Sequence, residues 1–216
     1  IIITSLQASP MVYDAVHSYG GIVLHDVINI RHTKKALSIG ADGIIAVCAG
    51  AGGHAGQLSP FALVPEIRSF HDGPLLCSGS ISTGGSVMAA LAMGADLAYL
   101  GTRFIASREA NAPEAYKQCI VDSTGEDIVY SSLFTGVSGN YLKKSIEEAG
   151  MDPDNLPAAG KDTMNFGSGG NTEAKAWKDI WGSGQGVGSI HTAPSVQEIV
   201  DQLKEEYNEA KARLTG

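Results

Sequence analysis

The chain alternates short, continuously apolar segments with longer segments whose apolar residues recur at helical spacing. Continuous hydrophobicity indicates strands covered on both faces, as in a parallel sheet. Several helical segments end in glycine, for example at Gly40 and Gly94, where glycine accepts the left-handed turn that follows a helix. The predicted strands cover residues 1–6, 21–26, 43–48, 74–78 and 97–100, with a weaker one at 127–131. The predicted helices cover residues 10–18, 33–39, 60–70, 84–93, 111–123, 140–149 and 195–214.

Five βα units in series are typical of a doubly wound sheet or of most of a (β/α)8 barrel. We favour an α/β fold of the (β/α)8 TIM-barrel class that is incomplete at the N-terminus, because Ile1 already lies within a strand and fewer than eight strands are recognisable. The regular pattern fades after residue 104. We therefore predict one domain over residues 1–216, with a helical excursion near residues 105–176, of which 134–170 form an inserted segment covering one end of the barrel.

Composition narrows the class of protein. With 44% hydrophobic and 18% charged residues, the 216-residue chain is predicted to be ordered. A net charge of −8 argues against a nucleic-acid partner, and no apolar run is long enough to cross a membrane. Cys48, Cys77 and Cys119 match neither a disulfide framework nor a zinc site, which predicts a reducing, cytoplasmic location. No residues stand at metal-ligand spacing, so no metal is predicted.

One glycine-rich loop carries a histidine. Residues 49–56 follow the strand at 43–48 and place His54 among four glycines. Functional loops leave the carboxyl ends of strands in a parallel α/β fold, and here the backbone can approach a ligand closely. The imidazole can then act as a base or as a hydrogen-bond donor. The alternative is a flexible surface loop with an incidental histidine.

Three further loops suggest a bound ligand. The loops at 77–85 and 101–104 lie one βα unit apart, and their backbone N–H groups predict an anion site. Either loop alone could equally be an ordinary connection between a strand and the following helix. The loop at 181–188 sets Trp181 beside small residues and one amide, as a wall for a flat aromatic ligand or as a hinge before the last helix. His25 ends a strand on the same side and is predicted to contact the site.

Together these loops resemble the nitronate monooxygenase family of FMN-dependent TIM barrels, formerly called 2-nitropropane dioxygenases. The resemblance rests on Ala-Gly-Gly-His-Ala-Gly, Ser-Gly-Ser-Ile, Gly-Ala-Asp with Gly-Thr-Arg-Phe, and Trp-Gly-Ser-Gly-Gln-Gly, in that order. It covers essentially the whole chain and corresponds to the C-terminal two-thirds of a typical member. It implies an FMN-binding domain that oxidises alkyl nitronates, such as propionate 3-nitronate, or nitroalkanes with O2, giving a carbonyl compound and nitrite.

The resemblance also implies roles for individual residues. His54 matches the active-site histidine beside the flavin, and His25 and Ser183 are expected on the substrate side. The sequence departs from the family pattern at two positions: Ser80 stands where many members have glycine, and Asp26 stands where some have lysine near the flavin. The residues expected to bind FMN are Gly52, Gly53, Ser78, Gly79, Ser80, Gly101, Thr102 and Gln185.

Two other functions remain open. An FMN- and NADPH-dependent enoyl-acyl-carrier-protein reductase shares the Gly-Gly-His and Gly-Thr-Arg-Phe phrases, but would need an acyl channel and a nicotinamide site. A non-catalytic barrel that binds a phosphate ligand, or an inactive fragment, would tolerate replacement of His54. The monooxygenase is favoured because the covering segment and the Trp181 loop resemble its members. The sequence leaves the oligomeric state open, a homodimer included.

Overall fold

A computed structural model of the protein describes residues 1–157 and 179–216. The strands are β1 (Ile2–Thr4), β2 (Val23–Val27), β3 (Gly43–Val47), β4 (Gly53–His54), β5 (Leu75–Ser78), β6 (Leu97–Tyr99), β7 (Ile128–Ser131) and β8 (Gly139–Leu142). The helices are α1 (Pro10–His17), α2 (Ile30–Ser38), α3 (Pro60–Arg68), α4 (Gly84–Ala92), α5 (Thr102–Ile105), α6 (Glu114–Asp122), α7 (Lys143–Glu148) and α8 (Val196–Thr215). Short 3-10 turns cover Gly125–Asp127 and Gln185–Ser189.

The main sheet contains five parallel strands in the order β1-β2-β3-β5-β6. Because successive side chains of a strand point to opposite faces, neighbouring residues enter different cores. Ile44 packs with Leu63 and Tyr13 under the helices, whereas Ile45 joins Leu24 on the opposite, inner face. Apolar burial on both faces explains the continuously hydrophobic segments and confirms the α/β prediction.

The last helix, α8, fixes the start of α4. A side chain at Gly84 would lie 2.2 Å from the Leu203 carbonyl oxygen, so only glycine permits this contact between backbones. The Gly84 N–H donates to the Glu206 carboxylate at 2.7 Å. Thr83 and Ser86 form a reciprocal cap that starts α4. These contacts hold the glycine-rich loop that joins β5 to α4.

A second, antiparallel sheet in the order β4-β8-β7 carries the histidine loop. His54 pairs with Gly139, and Gly139 pairs in turn with Ser131. The connection between β7 and β8 therefore returns to the sheet directly beside His54. This pairing anchors the segment after β3 in place.

Two predicted elements are corrected. The helix predicted over residues 140–149 is a strand, β8, followed by the short helix α7, because Gly139–Leu142 pairs with both β4 and β7. The weak strand predicted at 127–131 forms as β7, but in the antiparallel sheet rather than in the parallel one. The predicted excursion thus contains paired strands as well as helices. Its residues 158–176 lie outside the described residues, as does the end of the predicted covering segment.

Within the described parts of the chain, no helix combines the length and the apolar character needed to cross a membrane.

Candidate active site

A cavity of about 340 Å³ opens at the carboxyl ends of β3, β5 and β6. Its volume is within the range of small-molecule sites. It brings together most of the loop residues predicted to bind the cofactor. These are Gly52, Gly53, Ser78, Gly79, Ser80, Gly101 and Thr102.

One wall of the cavity is aromatic. The rings of Tyr116 and Trp181 stack with centroids 5.1 Å apart and planes 14° apart. The Tyr116 hydroxyl donates to the Gly182 carbonyl oxygen, which fixes the stack. Tyr99 and Tyr141 also line the cavity. Trp181 is predicted for this role by its loop, whereas the three tyrosines carry no local sequence signal that marks them.

Hydrogen bonds tie the loops around the cavity into one unit. The Gly50 carbonyl oxygen accepts the Gln185 N–H at 2.9 Å and the Ser80 N–H at 3.3 Å. The Gly184 N–H donates to Thr102 Oγ1 at 2.9 Å. Asn140, almost fully buried, donates its Nδ2 to the Ala51 carbonyl oxygen at 2.7 Å. The cavity is therefore held by contacts between segments far apart in sequence.

The turn after β5 has a backbone that favours glycine. Gly79 has φ +129°, and a side chain there would lie 2.9 Å from the Ala49 carbonyl oxygen. Ser80 adopts φ +55°, a left-handed conformation that is unusual for a residue with a side chain. Gly101, after the neighbouring strand β6, also lines the cavity, and no heavy atom of the described residues lies within 4 Å of the position a side chain would take there. At the start of α5 the Phe104 and Ile105 N–H groups donate to the Gly101 carbonyl oxygen at 2.9 and 3.1 Å. The N–H groups left without an acceptor inside this helix are those of Thr102 and Arg103.

His54 stands beside the cavity, next to Gly53 in its lining. Its Nε2 lies 2.8 Å from the buried Thr135 hydroxyl oxygen. Burial lowers the pKa of His54 below its ordinary value, and the charge of Asp26 raises it in part. Burial in turn raises the pKa of Asp26, although the Ser5 hydroxyl and the Leu6 N–H oppose the shift. A histidine with a lowered pKa is neutral at pH 7 and can accept a proton.

His25 does not reach this site. It is buried in the middle of β2, where its Nδ1 lies 2.7 Å from Thr4 Oγ1 and its ring packs against Tyr13 under the helices. Burial lowers its pKa. Because side chains alternate along a strand, the next residue, Asp26, points to the inner face instead. The structure therefore places Asp26, and not His25, where it acts on His54.

The family model of nitronate monooxygenase matches residues 1–206. The chain belongs to the nitronate monooxygenase family. It is 30% identical to the nitronate monooxygenase of Neurospora crassa over 225 residues, which cover 92% of this chain and 57% of that protein. The chain spans between 56% and 58% of the length of the first curated relatives it matches.

Two solved structures share the fold. The nitroalkane oxidase from Streptomyces ansochromogenes matches with a TM-score of 0.78 and 24% identity, over 98% of this chain and 65% of that one. FabK from Thermotoga maritima matches with a TM-score of 0.78 and 23% identity, over 99% of this chain and 70% of that one. These likenesses confirm the TIM-barrel class of the fold. They do not separate the two activities considered from the sequence.

The family is generally flavin-dependent, and the cavity fits such a group. Tyr141 lines the cavity, and Ser183 lies between the lining residues Gly182 and Gly184 without lining it itself. Both side chains are buried, and their hydroxyls have no hydrogen-bond partner among the described residues. A buried hydroxyl without a partner is costly, so both groups are suited to a bound ligand. The open space at Gly53 and Gly101 and the aromatic wall suit a flat, phosphorylated molecule. Gln185 is also expected from the sequence to face the flavin, but it is exposed and does not line the cavity.

No group of three His, Cys, Asp or Glu in residues 1–157 and 179–216 could hold a metal ion.

Proposed function

We propose that this chain forms the FMN-binding and catalytic part of an enzyme that oxidises alkyl nitronates with O2, giving a carbonyl compound and nitrite. The observation that carries the proposal is the placement of His54, whose pKa is lowered by burial, beside a glycine-lined cavity that also contains the Tyr141 hydroxyl, a buried group with no hydrogen-bond partner among the described residues. Membership of the nitronate monooxygenase family supports the choice of reaction.

Several residues would hold FMN. The N–H groups of Thr102 and Arg103 after Gly101 would donate to the phosphate, and the glycine-rich turn at Gly79 and Ser80 would leave room for it. The Tyr116–Trp181 stack would cover apolar ring surface, and the Ser183 hydroxyl would donate to a polar atom of the cofactor. When bound, FMN supplies the electron-accepting chemistry. The chain itself contributes position, exclusion of water and proton transfer.

His54 would act on the substrate. Protonated, the imidazole donates a hydrogen bond to a nitronate oxygen; neutral, it removes the α-proton of a nitroalkane and so forms the nitronate in place. Its lowered pKa favours the second role at neutral pH. The Tyr141 hydroxyl offers a second donor for an oxygen of the nitro group, since it has no partner among the described residues.

The proposal is tested by measuring bound flavin and nitrite formation in the purified full chain. With propyl-1-nitronate and O2, the wild type should release nitrite in proportion to its FMN content. His54→Gln should keep FMN but lose most nitroalkane turnover, by about 10²-fold or more for a general base. Flavin that is reduced by NADPH and consumes an enoyl thioester, with no nitrite from nitronate, would support the reductase instead. A colourless protein that binds no FMN would contradict both.

A further inference from the structure

The last helix, α8, carries a series of hydrogen bonds that connects two segments next to the cavity. Arg103, in α5 after Gly101, donates to Gln202 Oε1 at 3.4 Å. Gln202 Nε2 donates to one carboxylate oxygen of Glu206 at 2.8 Å. The other oxygen of Glu206 accepts the Gly84 N–H at 2.7 Å, at the start of α4. These three side chains, here called the α8 brace, therefore join the segment after β6 to the segment after β5.

The chemistry of the α8 brace permits one arrangement of its donors and acceptors. A guanidinium group only donates hydrogen bonds, an ionised carboxylate only accepts them, and an amide does both. Because Gln202 lies between Arg103 and Glu206, its oxygen must face the guanidinium and its nitrogen must face the carboxylate. A change of group type at position 202 or 206 therefore breaks at least one bond of the series.

The Arg103 guanidinium needs a compensating charge. The side chain is 4% exposed, and its other acceptors are the Thr192 and Ala106 carbonyl oxygens at 3.3 and 3.5 Å. None of the ion pairs between described residues includes it. Burial lowers the pKa of Arg103, and the charge of Glu206 opposes that shift. A buried charge without compensation is costly, so the Glu206 carboxylate, acting through Gln202, stabilises the position of Arg103.

The α8 brace lies next to the cavity without lining it. A side chain at Gly84 would lie 2.2 Å from the Leu203 carbonyl oxygen and 2.3 Å from the Tyr207 nitrogen, so the start of α4 rests directly on the α8 backbone. Ser82, two residues before Gly84, lines the cavity, as does Thr102, the residue before Arg103. A shift of either end of the brace therefore moves a lining segment.

We propose that Gln202 and Glu206, acting through Arg103, are positioning residues that hold the segment after β6 and the start of α4 at the spacing that the phosphate end of FMN requires. This inference rests on the proposed binding of FMN. The cavity also contains the buried Tyr141 hydroxyl, which has no partner among the described residues and indicates a ligand independently of these helix starts. A site that is already aligned loses less freedom on binding, so the brace raises affinity without touching the cofactor.

The test compares FMN with riboflavin, which has the same ring system but no phosphate. Both are titrated into the full chain stripped of ligand, and binding is measured by flavin fluorescence. Glu206→Ala should weaken FMN binding by about tenfold or more, the scale of a lost charged hydrogen bond, and leave riboflavin binding nearly unchanged. Glu205→Ala is the matched control, because it removes an exposed carboxylate from the same helix and should change neither affinity.

An exchange of the two α8 side chains separates positioning from general structure. Glu206→Gln alone loses one acceptor, and Gln202→Glu alone sets two carboxylates against each other, so each should weaken FMN binding. The double variant keeps the net charge and every bond of the series. The carboxylate at position 202 accepts from Arg103 and from the amide at position 206, whose oxygen accepts the Gly84 N–H. FMN affinity should therefore return toward that of the wild type.

Three results would overturn the proposal: unchanged FMN affinity in Glu206→Ala, equal losses for FMN and riboflavin, or a double variant no better than its single parents. If Glu206→Ala does not fold, the exchange variants decide. A wild type that binds FMN and shows the expected pattern, but releases no nitrite from propyl-1-nitronate, would refute the proposed reaction and support the brace. A wild type that binds no FMN would contradict both.

Discussion

The hydroxyl of Tyr141 should reduce the stability of the ligand-free protein. The side chain is 1% exposed, and its oxygen has no hydrogen-bond partner among the described residues. Burial raises the pKa of Tyr141, and the nearby Thr135 hydroxyl offsets that shift only in part. Phenylalanine would keep the edge-on contact with Phe134, whose ring centroid lies 4.9 Å away at 73°. Tyr141→Phe therefore removes the polar atom and leaves the packing.

The magnitude follows from the cost of an unsatisfied buried hydroxyl, about 1–3 kcal/mol. Tyr141→Phe should raise the free energy of unfolding of the ligand-free protein by an amount in that range. For a chain of this size each kcal/mol corresponds to a rise of roughly 2–4 °C in Tm. At the same time the variant should bind nitronate more weakly, because the lost hydroxyl is the one offered to the substrate.

The assay is urea and thermal unfolding of the protein stripped of ligand. Tyr116→Phe is the matched control, since the Tyr116 hydroxyl is bonded to the Gly182 carbonyl oxygen and its removal should cost about 1 kcal/mol. The two substitutions delete the same atom from the same cavity with opposite expected signs. If Tyr141→Phe destabilises the protein as much as Tyr116→Phe does, the Tyr141 hydroxyl has a partner and the reasoning is wrong.

Three further predictions concern the same site. Gly101→Leu should leave the unfolding curve unchanged, because no heavy atom of residues 1–157 and 179–216 lies within 4 Å of the new Cβ. It should abolish FMN retention, measured by flavin fluorescence, and retained FMN would remove the phosphate assignment. Asp26→Asn removes the charge that raises the pKa of His54, so the acid limb of kcat/KM for a nitroalkane should move to lower pH, while a limb that stays or moves up would contradict the pairing. Ser183→Ala should weaken FMN binding by roughly tenfold, as loss of one hydrogen bond would, without lowering Tm; equal affinity by titration would exclude contact with the cofactor.

The sequence predicts the parallel sheet well because its signal is local. The strands over 43–48 and 74–78 are bounded by glycine or proline and are apolar at nearly every position, and they form as Gly43–Val47 and Leu75–Ser78. The glycine phrases correctly mark the turns around the cavity. Buried strands and glycine turns depend on the local backbone conformation, and the residue types at those positions indicate that conformation directly.

Other features depend on contacts that no local pattern records. A strand buried on both faces gives no indication of which side chains point inward, so the sequence places His25 at the site as well as Asp26, and only the structure separates the two. The segment 140–149 is predicted as a helix because the strand that pairs with its start, Gly53–His54, lies more than eighty residues earlier, where no local pattern reveals the pairing. That pairing, together with the bridge between Tyr141 and Gly182, brings Thr135 and Tyr141 to the site.

The proposed function requires that FMN held in this cavity be reduced by a nitronate and reoxidised by O2. The most direct measurement is the visible absorption spectrum of the FMN-loaded full chain, recorded without oxygen before and after adding propyl-1-nitronate, and again after admitting air. The account predicts that the oxidised flavin band falls with nitronate and returns with air, with nitrite released. A band that nitronate leaves unchanged while the protein retains FMN would contradict it.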